Sequence, residues 1–298
     1  MLTVDPKAVP TAELHAHMLA SVAPRPICFA STMDKAGNCN LSPFSFFNAF
    51  GSHPPTLIFS PARRVRDNTI KHTLENIYET MEVCINVVTY DMVQQVNLAS
   101  NEFEKGVDEF LKSGFTKEPS LRIKPFRVKE SPVQMECMVK EIIATGTEGG
   151  AGNLIICEIA LMHISEEILN ASGKIDQHKI DLVGRLGTDF YVRSSGTALF
   201  EVEKPAKHRG IGYDSIPEHI RNSRILTGNN LGQLGNIEQL PAPEEVEQVY
   251  NNSEIRNLVY RLEGDPENLQ VQLHTKAKQL LEAGNVREAW KLLLIEAG

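Results

Sequence analysis

The sequence is poor in cysteine, contains a single tryptophan and lacks any long uncharged apolar stretch. The cysteines are odd in number and widely spaced, without a CxxC pair, so we predict neither a disulfide framework nor a zinc site; they are Cys28, Cys39, Cys84, Cys137 and Cys157. No segment approaches the roughly 18 apolar residues that a membrane-spanning helix needs. Residues 1–12 also lack the apolar core of a signal peptide. We therefore expect a cytoplasmic protein with no membrane partner and no metal.

Basic residues are in the minority as well. The 298 residues include 30 Lys and Arg against 38 Asp and Glu, a formal net charge of −8. Because neutralising a nucleic-acid backbone requires a basic face, we expect no nucleic-acid partner. A single small phosphate ligand needs only a local basic patch and stays possible. The length allows one large domain or two unequal domains.

Residues 20–200 are predicted to form strands joined by turns. Short apolar runs occupy residues 26–32, 56–60 and 83–88, and residues 134–140 alternate as a half-buried strand does. A further strand is predicted at residues 154–164. Hairpin-type connections favour an antiparallel sheet or barrel over a doubly wound sheet. Two helical insertions are expected, around residues 68–79 and 91–112.

The sequence pattern changes near residue 200, from predicted strands to predicted helices. Helix starts with proline near the first position recur at Pro217, Pro243 and Pro266. Apolar residues between 246 and 262 fit one face of a single helix, and the Gly/Asn-rich residues 228–236 are expected to form a hinge loop. We therefore predict two domains, residues 1–200 and an α-helical extension at residues 201–298.

A basic cluster lies at residues 63–73, where four cations and one acid occur in eleven residues. The pattern predicts a helix beginning near Asn68. Helix N–H groups, the hydroxyls of Ser60 and Thr73, and the flanking cations would together bind a phosphate. Composition alone favours the alternative of a solvated basic loop.

A second candidate segment, residues 40–48, combines three aromatic residues with two serines and two asparagines. A planar ligand such as a flavin needs apolar walls and a few fixed hydrogen bonds at its rim. Taken alone, the segment fits an ordinary strand with buried phenylalanines better.

The order of these segments is more informative than any one of them. It resembles the flavin reductase-like, FMN-binding split-barrel family over roughly two-thirds of the chain. The matching positions are residues 24–27, 31–32, 37, 40–47, 54–55, 71–73, 76–77, 86, 109–110, 114, 131–133, 136 and 184–187, with Tyr191. The resemblance implies a mainly β fold, an antiparallel split β-barrel of Greek-key type with helical insertions, followed by the helical extension.

The same resemblance implies FMN as the cofactor, with NADH or NADPH as a possible co-substrate. The residues expected to contact FMN are Ser31, Thr32, Asn40, Ser45, Phe46, Phe47, Ser60, Arg64, Arg66, Lys71 and Thr73. Of these, Ser60, Lys71 and Thr73 would hold the phosphate, with Arg64 or Arg66 as auxiliary cations. The sequence departs from the family at His72, where an acid is usual.

The implied reaction is hydride transfer from a nicotinamide to flavin N5, which requires stacking of two rings and little side-chain acid–base chemistry. No general base is therefore assigned. His163 is a weak catalytic candidate, because a satisfied strand histidine is the more common case. Family members form homodimers, which we also expect here. The alternative is an FMN-binding electron-transfer or sensor protein without NAD(P)H turnover.

Overall fold

The computed structural model describes residues 1–202 and 209–295, and the chain divides into two compact units, Met1–Phe200 and Glu201–Gly298. The α-helices of the first unit are α1 (Thr11–Ser21), α2 (His72–Thr80), α3 (Val93–Leu98) and α4 (Glu109–Ser113). Its strands are β1 (Cys28–Met33), β2 (Cys39–Phe44), β3 (Phe47–Ser52), β4 (Pro55–Phe59), β5 (Glu82–Val87), β6 (Lys117–Glu118), β7 (Arg127–Val128), β8 (Val133–Ala144), β9 (Asn153–Ile164), β10 (Val183–Arg185) and β11 (Tyr191–Arg193). Within the described ranges, no helix is both long and apolar enough to cross a bilayer.

Seven of the strands form one sheet in the order β2-β1-β5-β8-β9-β4-β3, and every neighbouring pair is antiparallel. This confirms the predicted antiparallel, mainly β fold class of the first unit. Helix α2 covers one face of the sheet, where Leu74 and Ile77 pack with Phe59 and Ile85 in a common core. Burial of this apolar face, rather than strand propensity, is the main stabilising contribution.

Strand β8 differs from the predicted half-buried pattern. The residues Val133 to Cys137 are all buried, including Gln134 and Glu136. The Glu136 side chain is 0% exposed. Its buried carboxylate is satisfied by hydrogen bonds from the backbone N–H groups of Leu121 and Arg122, at 2.9 and 2.6 Å. The residues between α4 and β8 thus cover the face that the alternation assigned to solvent.

The first helical insertion begins later than predicted, at His72 rather than near Asn68. Asn68 has φ of +57°, a left-handed conformation that interrupts a helix. Asp67 Oδ1 accepts hydrogen bonds from both the N–H and the hydroxyl of Thr69, which stabilises a turn there. The second insertion is also broken, since residues 99–108 form a loop between α3 and α4.

The second unit is helical. Its α-helices are α5 (Glu218–Arg221), α6 (Gly228–Gly235), α7 (Pro243–Tyr250), α8 (Ser253–Arg261), α9 (Pro266–Glu282) and α10 (Val286–Leu293). They enclose an apolar core around Trp290, which is 0% exposed and donates its indole N–H to the carbonyl of Leu234 at 3.1 Å.

Two sequence expectations for this unit are wrong. The segment at residues 228–236, expected to be a hinge loop, forms α6 (Gly228–Gly235) and its C-cap Asn236, because Thr227 and Asn230 make a reciprocal capping box. The segment from 246 to 262 is two helices rather than one, since the Asn252 side chain accepts a hydrogen bond from Glu254 N–H and starts α8 anew. The Thr227 cap therefore starts a helix despite the glycine content of α6. The Asn252 cap starts a new helix despite the continuous apolar periodicity.

A buried histidine on α9 makes the second unit sensitive to acid. Ser223 Oγ already accepts hydrogen bonds from the N–H groups of Ile225 and Leu226, so its proton points to His274 Nδ1, 2.7 Å away. Nδ1 is therefore an acceptor and the imidazole is neutral. Burial, with a smaller contribution from the His219 charge, lowers the pKa of His274 from 6.5 to about 4.

We expect the stability of the second unit to fall between pH 7 and pH 5. In that range the unfolded state binds a proton that the folded state excludes, which costs about 2 kcal/mol at pH 5. Urea unfolding followed by Trp290 fluorescence measures this loss. His274→Gln should flatten the pH dependence, whereas substituting the exposed His178 of the first unit should leave it intact. An unchanged slope in His274→Gln would contradict the assignment.

Candidate functional site

The floor of the candidate site is a polar layer between β2 and α2. Thr32 and Asn40 are cross-strand neighbours, and Asn40 Nδ2 donates to Thr73 Oγ1 at 2.8 Å. Thr32 Oγ1 accepts a hydrogen bond from Asn76 Nδ2 at 3.2 Å. All four side chains are buried. These contacts fix the first turn of α2 against the sheet and hold Thr73 at the helix N-terminus.

The loop before α2 folds back on itself and positions Arg64. The Arg64 N–H donates to the Thr69 carbonyl, and its guanidinium Nη1 donates to the Ile70 carbonyl at 2.7 Å. The loop packs closely on the β8–β9 turn. A Cβ atom at Gly149 would lie 3.0 Å from the Arg64 carbonyl oxygen, so this close approach favours glycine.

Lys71 directly precedes α2 and is half-buried. Burial, together with the charge of Arg64, lowers the pKa of the Lys71 ammonium below its usual value. Its Nζ lies 5.9 Å from the centroid of the Phe44 ring. Two cations held close together at a helix N-terminus favour an anionic ligand, because an anion relieves their repulsion and adds to the helix dipole interaction.

A small cleft joins these groups. It is lined by Asn40, Ser42, Arg64, Lys71, His72, Thr73, Ala99, Ser100, Asn101, Glu102, Phe103 and Glu109. Sequence reasoning found Asn40, Arg64, Lys71 and Thr73 but assigned no role to the two acids. Glu109 is buried, accepts a hydrogen bond from Leu41 N–H at 3.1 Å, and has a pKa raised by burial.

Two further clefts continue from the first. The second shares Ser100 with it and is lined by Ile27, Pro43, Phe44, Ser45, Val96, Asn97, Ser100, Arg185 and Tyr191. The third, with a volume of about 410 Å³, shares Asn97, Arg185 and Tyr191 with the second. Arg185 stacks on the Tyr191 ring at 4.5 Å, and Arg193 stacks on Tyr90 at 3.8 Å. The candidate segment at residues 40–48 thus lies beside an aromatic and cationic cleft, to which it contributes Pro43, Phe44 and Ser45.

Other predicted residues lie away from the first two clefts. Ser31 is fully buried on the opposite face of β1 from Thr32, and no described group pairs with its hydroxyl. Ser60 directly follows β4 and lies beside Gly152, and Phe47 packs on the barrel core. Phe46 makes an edge contact with His15. Arg66 reaches outward to Glu102 at 2.9 Å.

His163 is a partner of a buried acid. Its Nε2 lies 2.7 Å from Glu136 Oε1, on the strand next to β8. Burial opposes ionisation of Glu136, yet the N–H groups of Leu121 and Arg122 and the contact with His163 outweigh it and hold the Glu136 pKa below its usual value. This arrangement fits a satisfied strand histidine that helps to anchor the covering segment.

The antiparallel sheet and its helices form a split-barrel fold, and comparison with known proteins agrees. A 25% identical Shewanella frigidimarina protein with a split-barrel domain superposes with a TM-score of 0.58, covering 68% of this chain and 100% of that one. Nitrilotriacetate monooxygenase component B from Bacillus cereus, 24% identical, shares the fold with a TM-score of 0.62 over 68% of this chain and 98% of that one.

The chain belongs to the flavin reductase-like family. The flavin reductase like domain matches residues 20–177, which lie within the first unit. An uncharacterised protein of Aquifex aeolicus is 34% identical over 189 residues, which are 63% of this chain and 94% of that protein. The chain is accordingly a flavin-binding protein of the flavin-related oxidoreductase class.

Proposed function

We propose that this chain binds FMN and catalyses its reduction by NADH or NADPH. The observation that carries the proposal is the continuous path from the cationic cleft at Lys71 to the cleft shared by Arg185 and Tyr191. One end offers charge for a phosphate, and the other offers flat surfaces for rings. FMN has a phosphate at one end and a planar ring at the other.

The donors at the cationic end fit a phosphate. Lys71 and Arg64 supply positive charge, and Thr73 supplies a hydroxyl at the first turn of α2. No side chain in the described part of the chain caps this helix N-terminus. The N–H groups of Leu74 and Glu75 donate to the Lys71 carbonyl, which leaves those of His72 and Thr73 for an anion. A phosphomonoester would bind here through charge-assisted hydrogen bonds.

The aromatic end fits ring binding. Phe44 and Ile27 give apolar walls, while Ser45 supplies a hydroxyl that accepts a hydrogen bond from Arg25 Nε at 3.3 Å. Arg25 is buried and also donates to the carbonyls of Val22 and Leu186, so it holds Ser45 in a defined orientation. The third cleft, with its two arginine–tyrosine stacks, is the proposed place for the nicotinamide nucleotide.

FMN, when bound, supplies a ring that accepts a hydride at N5 and passes two electrons onward. The residues of this chain then have to hold two rings in contact and exclude water, which the rigid hydrogen bonds of Arg25 and the stacked Arg185 support. We assign no general base, and His163 is proposed as a structural residue.

Reduction of the loaded protein tests the proposal. The protein is saturated with FMN, freed of excess flavin and titrated anaerobically with NADH or NADPH. We expect the visible flavin bands to bleach with at least one nucleotide. Dithionite is the matched control, because it reduces any bound flavin without a nucleotide site.

Bleaching by dithionite but by neither nucleotide would overturn the reductase proposal and favour an electron-transfer or sensor protein. Failure to take up FMN would overturn the cofactor proposal as well.

The proposal includes a homodimer in a reducing, cytoplasmic environment. Its support is the exposed apolar side chains Phe50, Met138, Met162 and Ile164 on the sheet, which a second copy would cover. All five cysteines are free thiols, and four of them are buried, which suits a reducing compartment.

A further inference from the structure

The Glu102 carboxylate pairs with two arginines, Arg64, which lines the cationic cleft, and Arg66, which lies outside it. Its Oε1 lies 2.9 Å from Arg64 Nε, and its Oε2 lies 2.9 Å from Arg66 Nη2. Hydrogen bonds from these two guanidinium groups lower the Glu102 pKa, so the carboxylate is ionised at neutral pH. The arginines are therefore already paired with an anion that belongs to the chain.

The cleft is narrow in this arrangement. With Glu102 in place, its volume is about 20 Å³, which is room for about one water molecule. Asn40 and Thr73, on the opposite wall, are buried and hydrogen-bonded to each other. The Glu102 side chain is 44% exposed and sits on the loop between α3 and α4. It is therefore more accessible to a ligand than the buried Asn40 and Thr73.

We propose that Glu102 is an internal competitor of the ligand's phosphate and is displaced from Arg64 when a phosphorylated flavin binds. Carboxylate and phosphate are interchangeable partners for a guanidinium group, because both accept its paired N–H donors. The inference rests on the proposed FMN site. It identifies Glu102 as the residue that weakens phosphate binding and thereby keeps the flavin exchangeable.

Removing the Glu102 charge should tighten FMN binding. Because the competing ion pairs are partly exposed, we expect Glu102→Gln to raise FMN affinity by about three- to tenfold. Riboflavin has no phosphate, so its affinity should not change. Titration by quenching of flavin fluorescence measures both ligands without any turnover. Inorganic phosphate should also compete with FMN at lower concentration in the variant.

Two further variants show whether the effect passes through the arginines. Glu104→Gln removes an exposed acid from the same loop and should leave both affinities unchanged. Arg66→Gln combined with Glu102→Gln should gain less than Glu102→Gln alone, because one of the two freed cations is absent.

The outcomes separate this inference from the proposed function. If wild-type protein prefers FMN to riboflavin and Glu102→Gln gains no FMN affinity, the competitor role is overturned while the FMN site stands. An equal gain for riboflavin would overturn it too, since the gain would not involve the phosphate. If wild-type protein binds no FMN, both proposals fail.

Discussion

Lys71→Ala is expected to weaken FMN binding by about 1.5–3 kcal/mol, roughly a ten- to 150-fold rise in Kd. The half-buried ammonium lies in the cationic cleft at the start of α2. Its removal would delete the proposed charge-assisted hydrogen bond to the phosphate, which lies in a partly desolvated part of the cleft. Fluorescence titration of the apoprotein with FMN measures the loss.

Three comparisons make the Lys71 result specific. Lys71→Arg keeps the charge and should retain most of the affinity. Lys140→Ala removes a lysine that pairs with Glu158 on the sheet and should have no effect. Riboflavin binding should be the same in Lys71→Ala and wild-type protein. Equal weakening for FMN and riboflavin would show that Lys71 does not contact the phosphate.

Trp290→Ala is expected to reduce the free energy of unfolding of the second unit by about 3–5 kcal/mol. The indole is fully buried among the helices of that unit, and its N–H satisfies the Leu234 carbonyl. Truncation leaves a large cavity and an unpaired acceptor. Urea unfolding followed by circular dichroism measures the loss of helix.

We propose that the two units are separate domains, residues 1–200 and 201–298, and the same variant tests this. FMN affinity should survive in Trp290→Ala if the first unit folds independently. Trp290→Phe keeps an aromatic ring and should cost less, about 1–3 kcal/mol. Loss of FMN binding in step with the second unit's unfolding would contradict separate domains.

The barrel was predictable because its strands carry local patterns. Apolar runs and turn residues mark β1, β4, β5 and β9 within a few positions of their observed ends. The pattern of β8 was misleading because Glu136, which looks like a solvent-facing residue, is covered by a segment that binds its carboxylate through backbone N–H groups. The residues around Glu136 in the sequence do not indicate this contact, because its partners lie 14 and 15 residues earlier in the chain.

The candidate site was predictable only in part for the same reason. Asn40, Arg64, Lys71 and Thr73 stand in recognisable motifs, and the structure brings them to one cleft. Glu102 follows Arg66 by 36 residues and Arg64 by 38, in a loop where nothing in the local sequence links it to the arginines. Its role depends on tertiary structure.

The placement of the only tryptophan has a practical consequence. Trp290 lies in the core of the second unit, whereas the flavin-binding family match lies in the first. Indole emission overlaps flavin absorption, so the loaded chain carries one energy donor and one acceptor, each in a different unit. The efficiency of resonance energy transfer between the indole and the bound flavin therefore measures the distance between them without an added label.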